Sequence, residues 1–327
     1  MDSLLVHVGL HKTGSTSLQR SLSAAGRLSP VRRIEAVTAE SLASARTSRR
    51  VVSSEGLLGS MRTLYAEAGQ RLRTLELARV PLHIVLFVRE PVAWHQAMFI
   101  QRIQEGEAIS PAQYMSEVSR LEHFRISRLL DRVREMQREH TVSILMHTRD
   151  VVSTFQGVSG LELVRPPRAS NVSMSPARAI LASRINANIG SSSHKTVRQV
   201  LQHSVPPTSR DHEYLVFGGA QMELLEPAVI DWRENVLPSI TAEDVDLAPV
   251  TFESEGVDAD AVLSEAVIVL SSLLSSEAQP EKRRFSARLK KFAQRVPYVR
   301  TVIVPYVRTV IVRLAFGRES GRKRRTR

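Results

Sequence analysis

The chain has 327 residues, of which 43% are apolar and 24% charged, and this composition is sufficient for the packed core of one large domain or two smaller ones. It contains no cysteine, so disulfides and thiolate metal sites are excluded. The formal net charge of +12 lies at one end, because residues 276–327 carry 16 Lys and Arg against three Glu, whereas residues 1–275 carry 29 basic and 30 acidic residues.

The distribution of charge and hydropathy also predicts the cellular compartment and argues against one class of ligand. Its body is close to neutral and no recognition motif accompanies the basic residues, so nucleic-acid binding is not expected. The N-terminus has neither the basic segment nor the long apolar core of a signal peptide. The sequence also lacks a run of roughly 18 apolar residues that could span a bilayer. These features predict a cytoplasmic protein.

The first 80 residues predict two strands and several helical segments. An apolar strand is followed by a glycine-containing loop and a helix, and a Ser/Ala/Arg-rich stretch then leads to a β-branched run and to apolar residues at helical spacing. In chain order these elements are the strand Leu4–Val8, the loop Gly9–Thr16, the helix Ser17–Leu22, the helix and loop Thr38–Arg50, the strand Val51–Ser54 and the helix Met61–Ala78.

The next segment contains the strongest strand signal. His83–Val88 is a continuous apolar run, as expected for a parallel strand that is covered on both faces. Helices are predicted at Trp94–Ile103 and Leu121–Arg138, and a fourth strand at Val142–Met146. Because strands alternate with helices, the sequence predicts an α/β fold with a central, mostly parallel sheet flanked by helices.

The second half of the chain is mostly helical in pattern. Helices are predicted at Ala177–Ala187, Met222–Asn235 and Ala259–Leu274. After Pro280 the composition changes, and VPYVRTVI occurs twice in succession at 296–311, a local duplication rather than a solenoid. We therefore predict one α/β domain over 1–275 and a basic C-terminal tail over 276–327. The tail either lies on an anionic membrane surface, where each basic residue contributes on the order of 1 kcal/mol, or is a solvated extension.

The loop after the first strand has the composition of a phosphate-binding loop. Residues 10–19 read LHKTGSTSLQ, and a loop that leaves a parallel strand and opens a helix presents unpaired backbone N–H groups at the positive end of the helix dipole. Gly14 allows the backbone to approach an anion closely, and Lys12 supplies a full positive charge. The small hydroxyl residues at 15–17 leave room for the anion and offer further donors.

This loop differs from that of the nucleotide triphosphatases. In those proteins Gly-Lys-Ser/Thr follows an earlier glycine, and the hydroxyl group holds Mg²⁺. Here Lys12 precedes Gly14, and the strand at 83–88 ends at Arg89 without an aspartate for a metal ion. The pattern therefore indicates a phosphate-type group that is bound by Lys and Arg without a metal.

The loop resembles the 5′-phosphosulfate-binding loop of the bacterial PAPS-dependent sulfotransferases, in which Lys-Thr-Gly-Thr/Ser-Thr-Ser-Leu-Gln follows the first strand. VVSSE at 51–55 is similar to the family's second strand, which ends in a carboxylate, and FVREPVAW at 87–94 to its 3′-phosphate segment. Ser143–Phe155 and NVSMSP at 171–176 resemble its fourth strand with a short helix and its Asn-x-Ser-Leu-Ser segment. The resemblance covers about residues 3–190 and implies the P-loop-like sulfotransferase fold.

The resemblance implies that the sulfuryl group of PAPS (3′-phosphoadenylyl sulfate) is transferred to an acceptor hydroxyl or amine, with carbohydrate and glycolipid among the candidate acceptors. Lys12 would neutralise the charge that develops on the leaving phosphate oxygen, and Glu55 would be the general base. Arg89 would hold the 3′-phosphate, and no metal would be needed. The 5′-phosphate would be held by the backbone N–H groups of Thr13, Gly14, Ser15, Thr16 and Ser17.

One position departs from the family pattern. The family usually has a serine eight residues after the arginine, and here that position is Ala97, so either His95 or Gln96 compensates or the 3′-phosphate is held more loosely. We interpret Trp94 as a packing residue rather than an adenine-stacking one. His7 and His11 lie on a strand and then a loop, so they are not expected to form a metal-binding pair.

Each of these residues also has a purely structural interpretation. Lys12 and its loop fit an exposed turn with a capping hydroxyl, Arg89 fits a salt bridge to Glu90, and Glu55 fits a carboxylate at a helix N-terminus. Two other functions also remain: a nucleotide kinase or other phosphotransferase with a variant phosphate loop, or a catalytically degenerate fold that binds at a membrane surface. The sequence determines neither the acceptor nor the oligomeric state.

Overall fold

The computed structural model describes residues 3–31, 37–76, 79–148, 150–164, 174–189 and 215–240, together with 198 and 201. The predicted tail, the helix at 259–274 and Asn171 lie outside the described residues. Within the described ranges, no helix is both long and apolar enough to cross a bilayer. The chain forms two compact units, and their described residues fall within 1–98, 112–171 and 220–252 for the first and within 99–111 and 172–219 for the second.

The first unit contains an open four-stranded sheet. Its strands are β1 (Leu4–Gly9), β2 (Val52–Ser54), β3 (Leu82–Val88) and β4 (Thr141–Met146). They lie in the order β2-β1-β3-β4, and every neighbouring pair is parallel. This confirms the predicted strands and the parallel α/β arrangement. Since all strands run the same way, their carboxyl ends meet at one edge.

Helices of the first unit flank this sheet. Within the described residues the α-helices are α1 (Ser15–Ala24), α2 (Ala39–Thr47), α3 (Ala68–Leu75), α4 (Pro91–Gln104), α5 (Pro111–Val118), α6 (Ile126–Glu135), α7 (Val151–Ser159), α8 (Pro176–Ile189) and α9 (Gly219–Asp231). A π-helix (Trp232–Val236) and a 3-10 turn (Leu237–Ser239) continue α9. α5 has no counterpart among the predicted elements.

One hydrophobic cluster of the first unit lies on the face of the sheet that α1 and α7 cover. Alternate strand residues such as Leu5 and Phe87 point to this face, whereas Leu4, Val6 and Val8 point to the other and are also buried. Burial on both faces explains why the strands read as continuous apolar runs. The cluster under α1 and α7 contains Leu5, Leu18, Leu22, Val51, Val85, Phe87, Leu145, Val151, Val152, Phe155 and Leu163.

The largest difference from the predicted elements lies at 61–78. The sequence predicts one helix there, whereas the structure has a 3-10 turn at Met61–Thr63, two residues with left-handed backbone, and only then α3. Leu64 has φ 44° and Tyr65 has φ 62°. A left-handed non-glycine residue costs roughly 1–2 kcal/mol, so tertiary contacts of Tyr65, described below, must hold this turn.

A buried carboxylate at the end of α9 fixes the start of α6. Oδ2 of Asp231 accepts a hydrogen bond from the backbone N–H of Ser127 at 3.1 Å, and Oδ1 accepts bonds from the hydroxyl of Ser127 and from Nδ2 of Asn235 at 3.0 Å. Asp231 therefore caps α6 across 104 residues of chain.

The second unit has its own polar and aromatic contacts. Nδ2 of Asn186 on α8 donates hydrogen bonds to the carbonyl oxygens of Ile103 and Glu107, both at 3.0 Å. Phe99 and Phe217 meet edge to face, with ring centroids 6.2 Å apart. These contacts join α8 and the segment before α9 to the second half of α4.

Candidate functional site

The candidate site lies at the carboxyl edge of the sheet. The chain runs from β1 to β2 on one side of β1 and then to β3 on its other side, so the strand order reverses between β1 and β3. In open α/β sheets, ligands bind in the crevice beyond the strand ends at such a switch point. The loop with Lys12 follows β1 and Arg89 follows β3, so these two predicted residues flank the switch point.

The loop between β1 and α1 has left-handed backbone at two positions. Lys12 has φ 67°, and Gly14, the N-terminal capping residue of α1, has φ 83°. The hydroxyl groups of Thr13 and Ser15 donate hydrogen bonds to the carbonyl oxygen of Leu10, at 2.7 and 3.4 Å. These hydroxyl groups therefore fold the loop onto the end of β1 and do not cap the helix.

Two glycines allow neighbouring elements to approach this loop. A Cβ atom on Gly14 would lie 2.7 and 2.8 Å from the two γ-methyl groups of Val151, at the start of α7. A Cβ atom on Gly9 would contact Oγ of Ser15 and would lie 3.1 Å from Cε1 of His7. These close contacts leave no room for a Cβ atom at either position. The positive φ is a second reason for glycine at position 14.

The N-terminus of α1 differs from those of α4 and α7, which begin at the same edge. Glu90 accepts hydrogen bonds from two backbone N–H groups of α4, at 3.0 and 2.9 Å, and Asp150 accepts one from the N–H of Ser153 in α7, at 3.1 Å. α1 is capped by Gly14, without a side-chain hydrogen bond and without an acidic residue in its first turn. Its dipole and its first N–H groups therefore favour an external anion.

Arg89 joins the end of β3 to the loop. Its Nη1 donates a hydrogen bond to the carbonyl oxygen of Lys12 at 3.2 Å. Burial lowers the pKa of Arg89 and the charge of Glu90 opposes this change, and a guanidinium stays ionised at neutral pH. Glu90, whose oxygen atoms cap α4, also interacts electrostatically with Arg89, so the structural and the functional interpretations of Arg89 are compatible.

His147 is a further residue at this edge, and the sequence analysis missed it. It follows β4 directly, its backbone N–H donates to the carbonyl oxygen of Val88 at 2.7 Å, and the register places it beside Arg89. Burial and then the charge of Arg89 lower the pKa of His147 to about 4, so its imidazole is neutral at pH 7. The sequence signal that could have identified His147 is its position, because it is a polar residue directly after β4.

Glu55 lies on the β2 side of the loop. It begins a 3-10 turn (Glu55–Leu57) directly after β2, and Ser54 supports the turn by accepting a hydrogen bond from the N–H of Gly56 at 3.1 Å. The Glu55 side chain is 32% exposed, and its Oε2 lies 3.7 Å from Nε2 of His11. Glu55 is therefore an accessible carboxylate at the edge that also holds Lys12, which a general base requires.

Two buried aromatic residues, Tyr65 and Trp94, support His11. The hydroxyl of Tyr65 accepts a hydrogen bond from the backbone N–H of His11 at 2.8 Å and lies 2.9 Å from its Nδ1. Nε1 of Trp94 donates to the carbonyl oxygen of His11 at 3.2 Å, and the indole stacks on Tyr65 with centroids 6.3 Å apart. Both side chains are fully buried, which agrees with the packing interpretation of Trp94.

Two other histidines belong to the core. His95 is fully buried beside Tyr114, with Nδ1 and the phenol oxygen 3.0 Å apart, so it does not replace the serine that is missing at Ala97. His7 is fully buried and its Nδ1 lies 2.8 Å from Oγ of Ser53. Burial lowers the pKa of His95 to about 3 and that of His7 to about 4. No group of three or more His, Asp or Glu side chains within the described ranges has the arrangement of a metal site.

The edge therefore combines a positive and a negative feature. Lys12, Arg89 and the start of α1 form the positive side, and the accessible Glu55 carboxylate forms the negative side, next to His11. Such an arrangement is able to bind an anionic group and to accept a proton from a second molecule. Comparisons with protein-family models, curated proteins and solved structures found no match for this chain.

Proposed function

We propose that this chain is a PAPS-dependent sulfotransferase with the P-loop-like fold of that family. In this proposal, the first turn of α1 and Lys12 bind the 5′-phosphosulfate, Arg89 binds the 3′-phosphate and Glu55 accepts the acceptor's proton. The acceptor carries a hydroxyl or amine, with carbohydrate and glycolipid as the first candidates. The motif resemblance described above identifies the donor, and the geometry of the sheet edge supports the assignment of the residues.

The observation that carries the proposal is the N-terminus of α1 at the β1–β3 switch point, where the Gly14 cap supplies no side-chain hydrogen bond. Carboxylates occupy the corresponding ends of α4 and α7, whereas α1 has no capping side chain and lies directly after Lys12. The N-terminus of α1, which no carboxylate occupies, thus lies beside Lys12 and Arg89. PAPS carries two phosphate groups, so its 5′-phosphate satisfies the N–H groups and Lys12 while its 3′-phosphate satisfies Arg89.

The proposed reaction is an in-line transfer of the sulfuryl group. The bond between sulfur and the bridging phosphate oxygen breaks while a bond from the acceptor oxygen or nitrogen to sulfur forms. The acceptor's proton passes to Glu55, and the additional negative charge on the departing 5′-phosphate lies against Lys12 and the α1 N–H groups. These groups are fixed before the reaction, so they stabilise the developing charge without reorganisation.

Binding of 3′-phosphoadenosine 5′-phosphate (PAP), the expected product, tests the proposal. At a hundred times its dissociation constant, PAP should stabilise the fold by about 2.7 kcal/mol, and the resulting thermal shift should disappear in Lys12→Ala. Arg138→Ala removes a positive charge from an exposed residue before β4, at the opposite edge, and should keep the shift. A shift with Mg·ATP in place of PAP would support a kinase and overturn the proposal.

Substitution of Glu55 separates an enzyme from a non-catalytic binding module. Glu55→Gln keeps the shape of the side chain but removes the base, so it should keep the PAP shift and lose sulfuryl transfer. Transfer is measured with ³⁵S-labelled PAPS against a panel of simple sugars, glycolipids and alcohols. PAP binding without transfer by the wild type to any member would favour the binding module.

A further inference from the structure

A chain of three side chains connects the buried core to Glu55. The hydroxyl of Tyr65 lies 2.9 Å from Nδ1 of His11, and Nε2 on the other side of the same ring lies 3.7 Å from Oε2 of Glu55. The Tyr65 and His11 rings also stack, with centroids 5.8 Å apart. His11 is thus held between a fully buried phenol and the proposed base.

The position of Tyr65 is unusually well fixed. Leu64 and Tyr65 both have positive φ, and the ring of His123, which is buried, donates from Nδ1 to the carbonyl oxygen of Leu64 at 2.9 Å. The indole of Trp94 also stacks on the Tyr65 ring. Backbone strain of this kind persists where the surrounding structure holds it, and it is concentrated at functional sites.

The hydrogen bonds of Tyr65 determine which nitrogen of His11 carries the proton. The phenol oxygen already accepts a hydrogen bond from the backbone N–H of His11. Burial strongly raises the pKa of Tyr65, so its single proton stays in place and is available to Nδ1. A neutral His11 that accepts this proton at Nδ1 has its own hydrogen on Nε2, the nitrogen next to Glu55.

Resting on the proposed function, we propose that His11 is a positioning residue for Glu55. Tyr65 fixes His11 in the Nε2–H form, and this polar N–H, 3.7 Å from Oε2 of Glu55, orients the carboxylate electrostatically rather than through a formed hydrogen bond. The side chains of His11 and Glu55 keep 23% and 32% of their exposure, so the pair remains accessible to an acceptor. In this form Nδ1 of His11 accepts the Tyr65 proton and Nε2 already carries a hydrogen, so Glu55 rather than His11 takes the acceptor's proton.

The first experiment observes the ring nitrogens of His11 directly. Long-range ¹H–¹⁵N spectra of the full chain, with His11 assigned by its loss in His11→Gln, should show hydrogen on Nε2 at pH 8. In Tyr65→Phe the two neutral forms should become mixed. In Glu55→Gln the midpoint of the His11 titration should move to lower pH, because the negative neighbour that favours the imidazolium is lost. Glu139→Gln, which changes an exposed residue before β4, should leave the midpoint unchanged.

The second experiment measures transfer from PAPS in the acceptor panel. His11→Gln supplies an amide N–H in place of Nε2–H and should retain at least ten times the kcat of His11→Ala, with similar KM for PAPS. Equal loss in both variants, hydrogen on Nδ1, or a His11 midpoint that ignores Glu55→Gln would each overturn this inference. Absence of PAP binding by the wild type would instead overturn the proposed function, and the spectra would still decide whether His11 and Glu55 interact.

Discussion

Gly14→Ala should destabilise the first unit for two separable reasons. The residue has φ 83°, and left-handed backbone costs an alanine roughly 1–2 kcal/mol. The new Cβ atom would also lie 2.7 and 2.8 Å from the methyl groups of Val151, and overpacking of this kind costs typically about 1–3 kcal/mol. The free energy of unfolding should therefore fall by about 2–5 kcal/mol.

Gly26 provides a matched control for the backbone part of this cost. It follows α1 with φ 65°, and a Cβ atom there would meet nothing within 4 Å. Gly26→Ala should therefore lose only about 1–2 kcal/mol. Urea unfolding followed by tryptophan fluorescence is suitable, because Trp94 and Trp232 are both buried and both belong to the first unit.

A double-mutant cycle isolates the steric part. Val151→Ala alone removes two buried methyl groups and should cost roughly 2 kcal/mol, but it also makes room for the Cβ atom of Gly14→Ala. The double variant should thus be more stable than the sum of the single effects by about 1–3 kcal/mol. Equal losses in Gly14→Ala and Gly26→Ala, or simple additivity with Val151→Ala, would refute this explanation of the loop.

Three further predictions concern the scaffold. Gly157 is exposed within α7 with nothing within 4 Å of a Cβ atom, so Gly157→Ala should stabilise the fold by about 0.5–1 kcal/mol in urea unfolding. Asp231→Ala should cost about 2–3 kcal/mol in the same measurement, because it leaves the buried hydroxyl and N–H of Ser127 without their acceptor. His7 has its pKa lowered from 6.5 to about 4, so between these pH values the unfolded chain binds a proton that the folded chain does not. Neutral, buried His7 therefore contributes up to about 3 kcal/mol to the free energy of unfolding above pH 6.5. This contribution is lost as the pH falls from 6.5 to 4. His7→Gln should therefore unfold with a correspondingly shallower pH dependence in this window.

Local patterns predicted the strands well because burial on both faces leaves a continuous apolar run that few other environments produce. Leu82–Val88 is the clearest case. The same reasoning was wrong at 61–78, where the helical apolar spacing begins at Leu64 although Leu64 and the next residue, Tyr65, both have positive φ. Contacts with residues distant in sequence fix that turn, and a pattern confined to a short window does not contain them.

The candidate site was also predicted only in part from the sequence. Lys12 and Gly14 lie in the loop after β1, and Glu55 and Arg89 directly follow β2 and β3. Residue type and position in the loop selected the first two, and the motif resemblance assigned roles to Glu55 and Arg89. Tyr65 reaches His11 from 54 residues away. The support of His11 by Tyr65 therefore appears only once β1 and the turn at 64–65 are packed together.

The proposed anion site at the start of α1 consists mostly of main-chain atoms. The hydroxyl groups of Thr13 and Ser15 bond to Leu10, so the N–H groups of the first turn depend on backbone angles more than on side-chain identity. Such a site tolerates sequence drift at most of its positions, and only the glycine and the lysine are narrowly constrained. A protein of this design can keep its ligand while its sequence diverges, and engineering of its ligand preference should begin with the residues around the loop rather than within it.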